Sequence, residues 1–577
     1  MKCLKQIIAG CLALGMAACS GDEEIVGTVD NNGAGVAGQG GEVYATLTLN
    51  LPAKRAGETG GSAGVEFGKN YENKVGSVLV VLAEAKEDGS YAYVTCSLSD
   101  GALNSGTGTG AANNPKYTLV FQNEALKASG GKTIAVFAYA NPTQALRNAI
   151  DALNPDDTFT DLTAVTNGTD IWTDNAFFMT SVGTIQSVTL DADIANSTAH
   201  NTPESALDLG VVPVERVAAR FDYKQVNGNK YPITASIPDE MGEPQTVEVG
   251  DIVLTDMALI NMATEYYYLP RTSADGKNTG ISLCPGAAGM EMDWVVSPRY
   301  AEYLNYGTEQ APQLAADYFI YPMGNNADWE WTSIASLGKD DNDDSWNSGN
   351  EGTTTYGDYK IWRYAVENTI PRFGTDNYSA QKKGLTTGVV FKGHIDVTEE
   401  ASPLYRAFNA GEDIYMFNEV IYGGVTELAK AVEASPVSAL ADAFNAAFNK
   451  VISGEGESQS VTYEKKEGVE MGKLGFTVYK KDVASGKYPV YYYYYNRHNN
   501  NDQNNVMGAM EFGVVRNNVY KLSVTGINRF GHPSTDPDDP DDPDPENPED
   551  PDEDNKVYFK VSVEVLPWVV RVNNIEF

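Results

Sequence analysis

The chain has 577 residues and a formal net charge of −38. That excess of carboxylates argues against nucleic acid or an anionic lipid surface as a partner. The length exceeds what one ordinary core fills, so two or more domains are expected. The 33 Tyr and 55 Gly favour short strands joined by turns over long helices.

Residues 1–18 read as a lipoprotein signal peptide. Lys2 and Lys5 supply a basic start, and Ile7 to Ala18 is an apolar run too short to span a bilayer as a helix. Met16-Ala17-Ala18-Cys19 carries the small residues and cysteine of a lipoprotein cleavage box, with methionine where leucine is more usual. Cys19 is then the expected lipidation site. A plain secretory peptide cut after Ala18 is the alternative, and it leaves Cys19 as a leading thiol. No other segment has the length and apolarity of a membrane helix. With Cys3 and Cys11 in the signal, only Cys96 and Cys284 remain. They either pair or stand as two buried thiols, and their spacing is not that of a metal site.

The first predicted strand is strictly alternating. Val43, Ala45, Leu47, Leu49 and Leu51 share one face, with Glu42, Tyr44, Thr46, Thr48 and Asn50 between them. It stops at Pro52, ahead of Ala53-Lys54-Arg55-Ala56-Gly57. A Lys-Arg pair before small residues in a loose stretch is a natural site for a trypsin-like or Arg-specific protease. A cut at Lys54 or Arg55 would let the first strand leave and open a groove shaped for five alternating side chains. The other reading is an ordinary edge strand followed by a solvated turn. Gly60-Gly61-Ser62-Ala63-Gly64 fits Gly-x-Ser-x-Gly, but with glycines around it and no strand before it, a loose linker is expected.

Further strands are expected at Val75 to Ala83, Tyr117 to Gln122, Thr133 to Tyr139, Val211 to Phe221, Ile252 to Met262, Gly388 to Ile395, Phe476 to Val478, Val490 to Tyr495 and Tyr520 to Val524. Thr143 to Leu153, after Asn141-Pro142, is a predicted helix with Leu146, Ile150 and Leu153 on one face. A second runs from Ser435-Pro436 to Gly454, with Leu440, Phe444, Phe448 and Val451 at helical spacing. A seam near residue 222 divides two globular parts.

Chemical sites are sparse. Asp340, Asn342, Asp344 and Glu351 fall at positions one, three, five and twelve of a calcium loop, yet Ser345 replaces the turn glycine, so an acidic surface loop is the favoured reading. His200, His394, His498 and His532 lie in no metal or triad spacing. Tyr491 to Tyr495 presents rings that suit sugar faces, although a strand with aromatics on both sides explains them as well. No enzymatic activity and no cofactor are expected.

The end of the chain is the most distinctive part. Ser534 to Asn555 is a tether with twelve acidic residues, expected to stand extended and to reach roughly 70 Å as polyproline II. Beyond it lies one alternating segment, Lys556 to Phe577. Val557, Phe559, Val561, Val563 and Val565 occupy one face, Lys560, Ser562 and Glu564 the other. One strand cannot bury its own face. It must enter a sheet, either of its own domain or of a neighbour. Five such side chains buried at ~1.5–3 kcal/mol each yield roughly 8–15 kcal/mol before entropy.

Four local patterns together resemble the Mfa-like fimbrillins, shaft subunits of type V pili. They are Cys19 followed by a strand and Ala53-Lys54-Arg55-Ala56-Gly57, Val214-Glu215-Arg216-Val217-Ala218-Ala219-Arg220, Val515-Arg516-Asn517-Asn518-Val519-Tyr520, and the Asp/Pro tether closing on Val563-Glu564-Val565-Leu566-Pro567-Trp568. They cover both ends and the seam, about a third of the chain. Residues 280–480 match no pattern of that family. The resemblance implies an all-β fold with a few helices, built as two transthyretin-like β-sandwich domains with a tethered donor strand. It implies a signal peptide 1–18, a propeptide 19–55 with a placeholder strand, domains at 56–222 and 223–533, a tether 534–555 and a donor strand 556–577. Processing would fall between Arg55 and Ala56. Polymerisation would follow by donor-strand exchange, with Val557, Phe559, Val561, Val563 and Val565 as the inserted teeth. Leu566, Pro567 and Trp568 would fix where insertion stops. The implied partners are other copies of the chain, accessory fimbrial subunits, the processing protease and the outer membrane through the lipid on Cys19. The implied place is a fimbrium on the cell surface, supporting adhesion and biofilm formation. A monomeric surface lipoprotein or tip adhesin binding glycans or host protein is the competing expectation.

Overall fold

In the computed structural model the described residues are 41–51, 66–101, 114–159, 162–165, 170–196, 198–239, 242–273, 276, 281–283, 294–305, 316–337, 359–371, 384–398, 400, 403–499, 510–545 and 558–569. The fold is all-β with a few short helices. Three sheets organise it. The first runs, in spatial order, Tyr91–Ser99, Val78–Ala85, Thr133–Ala140, Met179–Ser181, Leu207–Arg216, Glu42–Asn50 and Lys116–Gln122. Its two ends approach each other, since the Val120 amide donates to the Ser97 hydroxyl at 3.1 Å. The sheet thus wraps one apolar core drawn mainly from residues 43–218.

The second sheet runs Glu66–Phe67, Phe559–Val569, Asn518–Ile527, Ala219–Tyr223 and Lys360–Ala365. The third runs Phe476–Tyr479, Ile414–Phe417, Val420–Gly423, Lys230–Pro238, Pro244–Ile260, Gly388–Val397 and Tyr488–Tyr495. These two face each other. Phe221, Tyr223, Tyr520 and Leu522 from one pack with Ile233, Ile252, Phe391 and Tyr492 from the other. The change from the first core to the second falls between Ala218 and Ala219. The predicted strand Val211 to Phe221 is therefore two strands, Leu207–Arg216 and Ala219–Tyr223, each serving a different sheet.

The helix over Gln144–Asp151 forms as its sequence implies. Thr143 caps it through the Leu146 amide at 3.2 Å, and Leu146 and Ile150 are buried. The second predicted helix is shorter than expected. It spans Ala439–Ala447 with Ser438 as its cap, and Phe448–Ser453 then turns into a hairpin with Ser460–Lys465. Gly454 sits at φ +83° in that turn, where a side chain would be strained.

The tether also departs from its expectation. Its first half lies against the domain it leaves. The Gly472 amide donates to the Pro540 carbonyl at 2.7 Å and the Val478 amide to the Asp541 carbonyl at 2.8 Å. The Asp541 and Asp542 side chains are buried. Composition predicts solvation for such residues, whereas Lys480 and Lys465 supply charge partners and His532 a hydrogen-bond partner.

Candidate functional site

Two strands define the site, one near each end of the chain. Glu42–Asn50 is an interior strand. Seven of its residues pair antiparallel with Lys116–Gln122, from Glu42 opposite Gln122 to Thr48 opposite Lys116. Its other edge pairs in parallel with Leu207–Arg216, Ala45 opposite Leu207 and Leu49 opposite Val212, with a bulge between Thr46 and Thr48. The five predicted teeth all point into the first core: Val43, Ala45, Leu47, Leu49 and Leu51 are 2%, 0%, 0%, 0% and 7% exposed. The edge-strand reading is thereby excluded. Removal of this strand would open a slot with two polar edges and an apolar floor.

The tail strand Phe559–Val569 is held less completely. One edge pairs antiparallel with Asn518–Ile527, from Asn518 opposite Pro567 to Ile527 opposite Phe559. Among the described residues, the other pairs with Glu66 and Phe67 alone, opposite Trp568 and Val569 in parallel. Phe559, Val561, Val563 and Val565 lie on the second core but are half-buried, and Lys560 and Ser562 are exposed. The Phe559 ring lies 5.8 Å from that of Phe391 and 5.2 Å from that of Tyr492. The chain thus lends its tail to its own domain, the alternative weighed from sequence. Leu566 and Pro567 stand opposite Val519 and Asn518. Val557, Cys19, Arg55, Ala56 and the loop with Asp340, Asn342, Asp344 and Glu351 lie outside the described residues, as does the Gly60 to Gly64 segment.

Between the two strands lies a buried charged seam. Arg220 donates to both Glu72 oxygens, at 3.0 and 3.3 Å, and to both Asp222 oxygens at 2.9 Å. The Tyr364 hydroxyl donates to Glu72 at 2.6 Å. Burial, then the Glu72 carboxylate, pushes the Tyr364 phenol well above its ordinary value, which keeps it a donor. Arg516 pairs with Glu367 at 3.1 Å, both fully buried. The two seam patterns seen in the sequence meet here. The Asn517 side-chain oxygen accepts from the Arg216 main-chain amide at 3.4 Å and guanidinium at 3.3 Å, and the Asn517 main-chain amide donates to the Ala218 carbonyl at 2.9 Å. Asn517 holds φ +58°, a conformation asparagine tolerates better than most residues. Glu72 was not singled out from the sequence. It accepts from the Lys69 main-chain amide at 2.5 Å, but its partners Arg220 and Tyr364 lie well over a hundred positions away, where no local pattern points.

The other candidates are absorbed by the fold. Tyr491 packs 6.1 Å from Trp331 and Tyr493 6.4 Å from Trp329, so these rings already have aromatic neighbours. His200 meets Asp191 at 3.2 Å, His498 the Tyr520 hydroxyl at 2.9 Å and His532 Asp542 at 3.0 Å. Burial pulls the His394 imidazole below its ordinary value. Among the described residues no group of three or more His, Cys, Asp or Glu is placed to hold a metal. Cys96 is disulfide-bonded, with its partner outside the described residues. No helix of the described residues is long and apolar enough to cross a membrane.

Residues 487–574 match the family model for the fimbrillin C-terminal region of the type IV major fimbrial subunit protein. That stretch contains Tyr488–Tyr495, Asn518–Ile527 and the tail strand. No curated protein sequence matches the chain significantly. Among solved structures, a Parabacteroides distasonis protein assigned to cell adhesion is 13% identical, covers 91% of this chain and 100% of its own, and overlays with a TM-score of 0.35. The tip fimbrial protein Mfa3 of Porphyromonas gingivalis gives 10% identity, coverages of 91% and 100% and a TM-score of 0.33. The fimbrillin FimA of the same organism gives 13%, 92% and 98%, and 0.34. Overlays this partial transfer no residue roles. Over residues 487–574 the chain is therefore similar to the C-terminal region of the fimbrillins.

Proposed function

We propose that this fimbrial subunit polymerises by donor-strand exchange. A protease cuts after Arg55, the placeholder strand 43–51 departs, and the tail strand of another copy enters the slot between Leu207–Arg216 and Lys116–Gln122. The polymer then serves adhesion and biofilm formation at the cell surface. Lipidation on Cys19 would hold the precursor at the outer membrane before the cut. The domain limits 56–222 and 223–533, the tether 534–555 and the donor strand 556–577 belong to the same proposal.

One asymmetry carries the reading. The placeholder teeth are buried almost completely and its backbone is paired along both edges, whereas the tail teeth are half-buried and, among the described residues, one edge pairs at Glu66 and Phe67 alone. Full burial is worth ~1.5–3 kcal/mol per aliphatic side chain, so moving four teeth that keep at most about a third of their surface exposed into a closed slot gains no more than roughly 2–4 kcal/mol before entropy. The second ladder adds main-chain hydrogen bonds. The monomeric alternative retains one supporting observation, the tail docked on its own domain.

The test is limited trypsin digestion of the purified precursor followed by size analysis. Ladders that disappear on deletion of residues 556–577 support exchange. Clean cleavage after Arg55 with a monomer persisting at high concentration rejects it.

A further inference from the structure

We propose that Asp541 and Asp542 are positioning residues for strand exchange, clamping the first half of the tether to its own domain both before and after the tail leaves. This rests on the exchange reading and adds to it a fixed point of departure.

The clamp has backbone and side-chain parts. Phe476–Tyr479 ends the third sheet, and an uncovered strand edge invites pairing with another chain. The tether covers it through the amide of Val478 to the carbonyl of Asp541, and through Gly472 to Pro540. The Asp541 carboxylate binds the Lys480 ammonium and meets that of Lys465 at 3.4 Å. Asp542 meets the His532 imidazole at 3.0 Å. Thr535 accepts from the Asn326 amide group at 2.9 Å. Gly472 fits closely beneath: a Cβ there would stand 2.5 Å from the Asp542 carbonyl oxygen.

Each of these partners lies in the body of the C-terminal part, and none belongs to the tail strand 559–569. Departure of the tail leaves these contacts in place. The span from one subunit to the next is then set by the residues after Asp542, 543–557. Fifteen residues reach about 47 Å as polyproline II, against roughly 70 Å for the whole tether. A shorter bridge raises the effective concentration of the tail at a neighbouring slot and limits the angle between subunits.

Zero-length carbodiimide cross-linking provides the test, because it joins Lys to a carboxylate only in direct contact. The Lys480–Asp541 cross-link is expected in the precursor and, at a similar yield, in protease-assembled fibres. Its absence from fibres overturns the clamp. Assembled Asp541→Asn/Asp542→Asn fibres should have a persistence length about 1.5-fold shorter by electron microscopy, with the monomer still folded by circular dichroism. Gly472→Ala, which displaces the tether by contact, should do the same. Fibres of either variant as stiff as the wild type overturn the clamp while leaving exchange intact. Failure of the cut wild-type chain to polymerise at all overturns both.

Discussion

Glu72 and Arg220 form an ion pair at 3.0 Å in which both side chains are fully buried. The pair joins the segment just after the proposed processing region to the strand that opens the second core. Arg220 also binds Asp222, so its charge is balanced on two sides. Removing Glu72 leaves Arg220 with Asp222 alone and the buried Tyr364 hydroxyl without its carboxylate acceptor, which costs about 3 kcal/mol, the low end for a broken buried pair. Glu72→Ala should therefore lower the free energy of unfolding by that amount in urea titration. A loss under about 1 kcal/mol, the range of exposed pairs, would mean that water reaches the seam.

The placeholder strand gives a prediction in two parts. Leu47 is fully buried in the first core. Leu47→Ala should destabilise the uncut precursor by about 2–5 kcal/mol, through lost transfer energy and the cavity left behind. The same substitution should leave the finished polymer unaffected, because the exchanged fibre no longer contains Leu47. Melting of precursor and of fibre separates the two. A fibre weakened as much as the precursor would show that the strand never leaves.

The placeholder and tail strands are both legible in the sequence, because period-two alternation is a local signal. Leu47 and Val563 each sit among apolar residues two positions apart, and both do face a core. Which sheet the tail enters is not local, and the alternation of Val561, Val563 and Val565 fits either groove. The helix predicted to continue to Gly454 stops at Ala447 for a related reason. Phe448 satisfies both periods. Its ring packs 5.0 Å from Phe444 one turn back, while Val451 and Ile452 favour a strand and find one in Ser460–Lys465. The tether is not legible in this way, because composition averages over residues. Twelve acidic side chains do predict an extended, solvated segment, yet Asp541 and Asp542 are placed where Lys480, Lys465 and His532 converge.

The tail teeth predict a separation of folding from assembly. Val563 stands opposite Leu522 at a half-buried position on the second core. A charge there retains partial access to water at home, but in a closed slot it would be fully desolvated. Val563→Asp should keep the monomer folded by circular dichroism with a modest loss of stability, about 1–2 kcal/mol. After protease treatment it should form no ladder. Ladders equal to wild type would place the inserted segment elsewhere in the chain.

Asp413 gives the pH dependence. Burial raises its carboxyl above the ordinary value and nearby Asp541 adds to this, against the opposing pull of Lys480 and Lys465. A raised carboxyl binds its proton more tightly in the folded state. Its favourable contribution is thus complete below the unfolded value of about 3.9 and is lost as pH rises through the folded one. At neutral pH the ionised Asp413 is a net cost beside the clamp. Asp413→Asn should therefore stabilise the protein at pH 7, by on the order of 0.5 kcal/mol after screening at this half-buried site. The gain should shrink as pH falls toward 4. Lys480 responds at the opposite end of the scale. Burial lowers its ammonium value, but Asp541 outweighs this and holds it above the ordinary lysine range. Its contribution persists below about pH 10.4 and fades only in stronger alkali. Calorimetric melting of wild type and Asp413→Asn at pH 7 and pH 4 checks the sign. Equal stabilisation at both pH values would mean that the gain does not come from ionisation, and a loss at pH 7 would mean that the pull of Lys480 outweighs the burial of Asp413.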